Sequence, residues 1–220
     1  MKWVVYYCYD AYCGWCYGFS PVVGRLAKEY AHVIELEILS GGMILPPTPR
    51  AISVTASYIQ QEYLAVEKTT GIKFGDDYLW HIRNPDKSDW FPNSEKPAIA
   101  LCIFKEYYPA RQHEFAFDLQ YALHYEGRDL CDDEAYRHLV EKYALPEEEF
   151  YNRLKSDRYK QAAYEEFALV KQLKVTGFPT TFLQVNQSKF FLLSRGYCDY
   201  NTLRQNLDRC LEQNTIKDEG

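Results

Sequence analysis

Two cysteines separated by two residues, Cys13-Gly14-Trp15-Cys16, follow the apolar run Trp3-Val4-Val5-Tyr6-Tyr7 and lead directly into a helical pattern. This placement constrains the chain more than the spacing does. A helix N-terminus carries unpaired backbone N–H groups and a partial positive charge, and the reactive form of cysteine is the thiolate. Two thiols at a strand-to-helix junction can close into a small disulfide ring and open again. The same spacing on a mobile loop would point instead to a metal site. Redox chemistry is the expectation here.

The remaining composition narrows the class. The chain has 220 residues, 47% hydrophobic and 25% charged, as expected of a globular protein with a real core. A net charge of −6 gives no electrostatic reason for a nucleic-acid or anionic-membrane partner. No apolar stretch approaches the ~20 residues of a membrane span. The apolar run at the N-terminus is too short for a signal-peptide core and reads as a first strand. The seven cysteines, at 8, 13, 16, 102, 131, 198 and 210, are odd in number and scattered, unlike a disulfide framework. A reducing, cytoplasmic setting is therefore expected. The 20 tyrosines suit a Tyr-rich core, or an aromatic groove for an apolar peptide or small molecule.

Along the chain, Lys2–Tyr7 is β-branched and aromatic, which predicts a buried strand. Phe19, Val22, Val23, Leu26 and Tyr30 recur at helical spacing and predict a helix from about Cys13 to Tyr30, kinked at Pro21. Val33–Leu39 alternates as a strand up to Gly41-Gly42, which completes a right-handed βαβ unit with parallel strands. After the breaker cluster Pro46-Pro47-Thr48-Pro49, helices are expected near 50–69, 96–107, 110–125, 132–143 and 147–173. The acids in Asp132-Asp133-Glu134 and Glu147-Glu148-Glu149 belong to first helical turns, where the dipole favours them. Thr180–Val185 and Lys189–Leu193 read as a hairpin about Asn186-Gln187-Ser188. A last helix over Asp199–Gln213 presents Leu203, Leu207 and Leu211 on one face.

This βαβ–helices–αββα order, with a Cys-x-x-Cys opening the first helix, resembles the thioredoxin fold. A second match is Val175-Thr176-Gly177-Phe178-Pro179-Thr180, similar to the thioredoxin-superfamily loop whose proline is cis and faces the active-site disulfide. A cis X–Pro bond turns the chain sharply and leaves backbone groups for an extended substrate. The helical block narrows the resemblance to the DsbA-like branch. Within it, Asp10-Ala11-Tyr12-Cys13-Gly14-Trp15-Cys16-Tyr17-Gly18-Phe19-Ser20-Pro21 is similar to the FrnE-like group of bacterial proteins. The implied fold is α/β, a thioredoxin-like domain of residues 1–45 and 156–220 split by an all-helical insertion of residues 46–155.

The implied activity is thiol–disulfide exchange, as oxidoreductase or isomerase. Carried onto this chain, Cys13 attacks a substrate disulfide and Cys16 resolves the mixed disulfide. Pro179 and Phe178 shape the substrate groove, Trp15 offers an apolar contact, and Gly14 completes the dipeptide. Substrates would be disulfide- or thiol-bearing proteins or small molecules. The only redox group would be the Cys13–Cys16 disulfide, with glutathione admitted as a co-substrate. The chain departs from the superfamily at two points. Gly14-Trp15 holds no titratable cation, so the helix end must favour the thiolate. Tyr7 stands where thioredoxin has its buried acid. Asp10 is the nearest carboxylate; a proton-relay role competes with a simpler one, holding a turn or capping the helix.

Other readings compete. Cys8, Cys13 and Cys16 spell Cys-x4-Cys-x2-Cys, an iron–sulfur spacing, but the surroundings lack a glycine-rich cluster loop and the other cysteines are isolated, so no metal is expected. Cys8 is expected near the active pair, where it could accept the disulfide. His32, His81, His113, His124 and His138 form no hydrolase or metal motif. The kappa glutathione transferase and hydroxychromene-carboxylate isomerase group shares the inserted architecture, but typically has serine where Cys13 stands. A redox-sensitive adaptor that binds its partner without catalysis is the reading from another class.

Overall fold

A computed structural model describes residues 2–187 and 189–215. Strand β1 (Trp3–Tyr9) occupies the interior of a four-stranded sheet of order β2-β1-β3-β4. It pairs in parallel with β2 (Ile34–Ser40), Trp3 opposite Ile34 and Tyr9 opposite Ser40. On its other side it runs antiparallel to β3 (Thr180–Asn186), which continues into β4 (Lys189–Arg195). Of the expected hairpin turn, Asn186 closes β3 and Ser188 lies outside the described residues.

Side chains alternate across a strand, and β1 uses both faces. Val5, Tyr7 and Tyr9 pack beneath helix α1 (Gly14–Glu29), with Tyr7 meeting Phe19 edge-on at 5.8 Å. Cys8 turns to the opposite face, against Leu39 and Val170. Pro21 lies on the exposed side of α1, and the helix runs through it to Glu29.

Between β2 and β3 the described residues form seven α-helices, the first six being α2 (Ser53–Thr70), α3 (Asp76–Arg83), α4 (Glu95–Tyr107), α5 (Gln112–His124), α6 (Arg137–Lys142) and α7 (Glu147–Leu154). Helix α4 is buried from Pro97 to Phe104, and its Phe104 stacks on Phe115 of α5 at 4.2 Å. One hydrophobic core runs from the sheet into this block. Helix α8 (Asp157–Gln172) covers the second face of the sheet, and α9 (Tyr200–Thr215) packs against β4 and α1.

The expected helix over 147–173 is two helices, α7 and α8. Ser156 ends the continuity by accepting the N–H of Arg158 as an N-cap. Helix α3 falls outside the helices expected from sequence, although Asp76-Asp77 in its first turn and Arg83 in its last are ordinary end signals. The expected 132–143 helix begins as a 3-10 turn over Asp133–Tyr136 before α6.

The outer edge of β2 is closed by side chains rather than a further strand. Gln112 Oε1 accepts the Ile38 N–H at 2.8 Å, and Glu166 Oε2 accepts the Ser40 N–H at 2.8 Å. Lys105 joins Glu37 at 2.9 Å and Glu166 at 2.6 Å. Burial alone would lower the Lys105 ammonium; the two carboxylates outweigh it and hold it above its ordinary value.

Candidate active site

The β1–α1 junction sets the cysteines in unequal positions. Cys13 is the N-cap of α1, and its Sγ accepts the N–H of Cys16 at 3.2 Å. Cys16, one turn inside the helix, is fully buried over β1. The Tyr7 hydroxyl donates to the Cys16 carbonyl at 3.1 Å. Burial, then the hydrogen bond and charge of Cys13, push the Cys16 thiol well above its ordinary value. One sulfur thus sits at a helix end, and the other is held as a thiol behind it.

Cys13, Gly14 and Trp15 form one wall of a cavity of about 710 Å³. Gly41-Gly42 at the end of β2, Tyr58 and Tyr63 of α2, Phe74 and Phe167 contribute further walls. The 176–178 segment supplies another, ending in a cis Phe178–Pro179 peptide that leads into β3. Phe178 lines the cavity, whereas Pro179 is buried beside it, its carbonyl accepting the Gly196 N–H at 2.7 Å. Trp15 donates from Nε1 to Glu62 of α2 at 3.4 Å and packs near Tyr197. Gly14 leaves room for Phe74, whose ring would lie 3.2 Å from a β-carbon there. Strand, helix and proline loop thereby bring five of the seven site residues expected from sequence, namely Cys13, Gly14, Trp15, Cys16 and Phe178, around or directly behind one opening.

Asp10 does not line the cavity. Its buried carboxylate accepts the N–H of Tyr12 at 3.0 Å, the N–H of Met43 at 2.7 Å and the hydroxyl of Ser94 at 2.9 Å. It clamps the loop before Cys13 to the segment after β2 and to the start of α4. Burial raises this carboxyl from its ordinary value, with the donated hydrogen bonds opposing.

Cys8 does not join the pair. One residue from Tyr7, it faces the other side of the sheet, so β1 separates it from Cys16. Burial, then Glu166, push its thiol up to about 12. The three-cysteine metal spacing is accordingly not assembled, and no group of three His, Cys, Asp or Glu positioned for a metal occurs among the described residues.

Sequence reasoning missed the far walls of the cavity. Glu62, Phe74 and Lys171 come from α2, the α2–α3 loop and α8. No local motif marks them, because proximity to Cys13 is created only by folding. No helix among the described residues is long and apolar enough to cross a membrane.

The same fold recurs in solved structures. Among solved structures, a proposed protein disulfide isomerase from Nitrosomonas europaea is 26% identical, covering 97% of this chain and 99% of its own, at a TM-score of 0.84. The cytosolic disulfide reductase DsbM of Pseudomonas aeruginosa is 23% identical, covers 96% of this chain and 99% of its own, and has a TM-score of 0.76; it has also been solved with GSH. A 2-hydroxychromene-2-carboxylate isomerase shares the fold at 16% identity over 97% of this chain and 98% of its own, with a TM-score of 0.68. Among curated proteins none matches the sequence. The family model for the DSBA-like thioredoxin domain matches residues 4–208, and the chain therefore belongs to that family.

Proposed function

We propose that the protein is a thiol–disulfide oxidoreductase in which Cys13 is the nucleophile and Cys16 the resolving thiol. The carrying observation is their asymmetry: Cys13 opens on the cavity, while Cys16 lies buried behind it with its backbone N–H on the Cys13 sulfur. The Cys13 thiolate attacks one sulfur of a substrate disulfide; that S–S bond breaks and the first thiol leaves with a proton. Cys16 then gives up its proton and attacks Cys13 Sγ, releasing the second thiol. Two electrons pass from the dithiol to the substrate. The Phe178–Pro179 loop borders the place where the mixed disulfide forms, Trp15 and Gly14 shape its apolar wall, and Asp10 holds the loop.

The substrate class extends to disulfide- or thiol-bearing proteins and small molecules, with glutathione as a co-substrate and the cytoplasm as the setting. The structure of the Pseudomonas reductase with GSH supports this assignment by analogy of fold, and the Asp10–Pro21 segment supports the FrnE-like group. The isomerase and transferase reading shares the fold, but it leaves the second thiol unused, so exchange is favoured.

The test is trapping. Cys16→Ser, mixed with a disulfide substrate, should accumulate a mixed disulfide on Cys13 visible by intact mass, and Cys13→Ser should form none. An adaptor would keep its partner with both cysteines replaced. Absence of any adduct on Cys16→Ser would remove the proposal.

A further inference from the structure

Behind the two sulfurs runs a buried polar chain that joins the helical block to the cysteine motif. Gln120, inside α5, is fully buried. Its Nε2 donates to the Asp10 carbonyl at 3.2 Å, the same oxygen that accepts the Cys13 N–H at 3.1 Å. Its Oε1 accepts the hydroxyl of Ser20, a fully buried residue of α1, at 2.8 Å. Ser20 follows Cys16 by one helical turn, and its hydroxyl stands within hydrogen-bonding reach of the Tyr7 hydroxyl. Tyr7 in turn donates to the Cys16 carbonyl at 3.1 Å. These contacts make an arc from the backbone of Cys13 to the backbone of Cys16, with Gln120 at its middle. His113 of α5 braces the same turn, its Nε2 donating to the Ser20 carbonyl at 2.8 Å.

A side-chain amide in an apolar core costs stability unless it is paired, and any polar partner would meet that need. Both partners of Gln120 instead belong to the frame of the cysteine pair. One is the acceptor of the Cys13 N–H, and the other adjoins the donor to the Cys16 carbonyl. We propose that Gln120 is a positioning residue for exchange, holding the Cys13 and Cys16 backbones in the relation that lets the second sulfur reach the first. It acts through Asp10, Ser20 and Tyr7. This inference rests on the exchange chemistry proposed above and assigns a residue to its second step. The first step is bimolecular and needs only the sulfur of Cys13 at the cavity. In the second, the Cys16 thiol gives up its proton and attacks Cys13 Sγ of the mixed disulfide. The bond from Cys13 to the substrate sulfur breaks, and that sulfur leaves and takes up a proton. An intramolecular step of this kind depends on geometry held in advance. Loosening the arc therefore slows the second step and spares the first.

The experiment mixes the fully reduced, full-length protein with excess bis(2-hydroxyethyl) disulfide and no added reductant. Samples are quenched in acid, and the peptide carrying Cys13 and Cys16 is followed by mass. Appearance of the mixed disulfide reports the first step, and its conversion to the Cys13–Cys16 disulfide reports the second. Gln120→Met keeps the length of the side chain and removes both hydrogen bonds. Ser20→Ala cuts the same arc with a smaller change in the core. Each variant should slow the second step about five- to tenfold, the scale of one buried hydrogen bond. The first step should keep the wild-type rate, so the mixed disulfide should build up. The double variant should be no slower than the slower single one, because both cut a single arc. If Gln120→Met does not fold, the same split in Ser20→Ala carries the test. Equal rates in wild type and variants, or both steps slowed in proportion, overturn the assignment, as does an additive double variant. A wild-type protein that forms no mixed disulfide on Cys13 overturns the exchange reading itself.

Discussion

The ring of Phe178 lies directly over Gly41, so close that a β-carbon on Gly41 would fall 2.0 Å from its Cζ. The end of β2 and the loop before β3 are thus fitted to each other through the absence of a side chain. Gly41→Ala must displace Phe178 or the strand end. Overpacking of this kind costs about 1–3 kcal/mol. We expect a lower urea midpoint together with a reduced rate of insulin-disulfide reduction, since Phe178 borders the cavity at Cys13. An unchanged rate would show that the loop position is immaterial to exchange.

Asp10 is expected to act on stability through its clamp. Asp10→Ala leaves the N–H groups of Tyr12 and Met43 and the Ser94 hydroxyl without their acceptor. The loss should be about 2–4 kcal/mol in urea unfolding, since buried polar groups would be orphaned. The pH profile of exchange decides between clamp and relay: a clamp lowers stability without removing an ionisation from the profile.

His124 should make the fold acid-sensitive. Its ring is buried and stacked on Tyr17 at 5.1 Å, with Phe74 and Tyr78 edge-on. Burial lowers its pKa from 6.5 to about 3. The unfolded chain binds a proton in that window and the folded chain does not, so the stability tied to His124 is present above 6.5 and is lost as pH falls towards 3. His124→Phe keeps the aromatic contact and should flatten this slope by up to about 1.4 kcal/mol per pH unit, read from urea midpoints between pH 6.5 and 4.5.

Alkaline pH should act through the thiols with the opposite sign. Cys8 is pushed up to about 12 and Cys16 well above its ordinary value. Unfolded thiols titrate near ~8.5. From there upward the native state keeps protons that the unfolded chain releases, so stability is complete below that pH and falls above it. Cys8→Ala should start less stable, having lost packing against Leu39 and Val170. Its urea midpoint should then decline less steeply than wild type between pH 8.5 and 10 in the reduced protein.

Much of the frame was legible because local rules and the tertiary fold agree there. The α1 boundaries expected at Cys13 and Tyr30 are its two cap residues, since the apolar period and the strand before it leave little freedom. Agreement failed where a single hydrogen bond decides. The apolar period running from Phe150 and Leu154 to Tyr159 and Ala163 suggests one helix, and the Ser156 side chain divides it. Cys8 was misplaced for a related reason. Nearness in sequence to Cys13 suggested nearness in space, but the alternation of β1 sends its thiol through the sheet.

By itself the sequence determined the cysteine pair, the helix it opens and the proline loop, because these depend on residue type and on spacings of a few positions. Only the tertiary structure decided what surrounds the sulfur. Asp10, Met43 and Ser94 meet across 84 residues, and Glu62 and Lys171 reach the same cavity from separate helices. The physical reason is that such contacts arise from packing the helical block against the sheet, and packing leaves no local period to read.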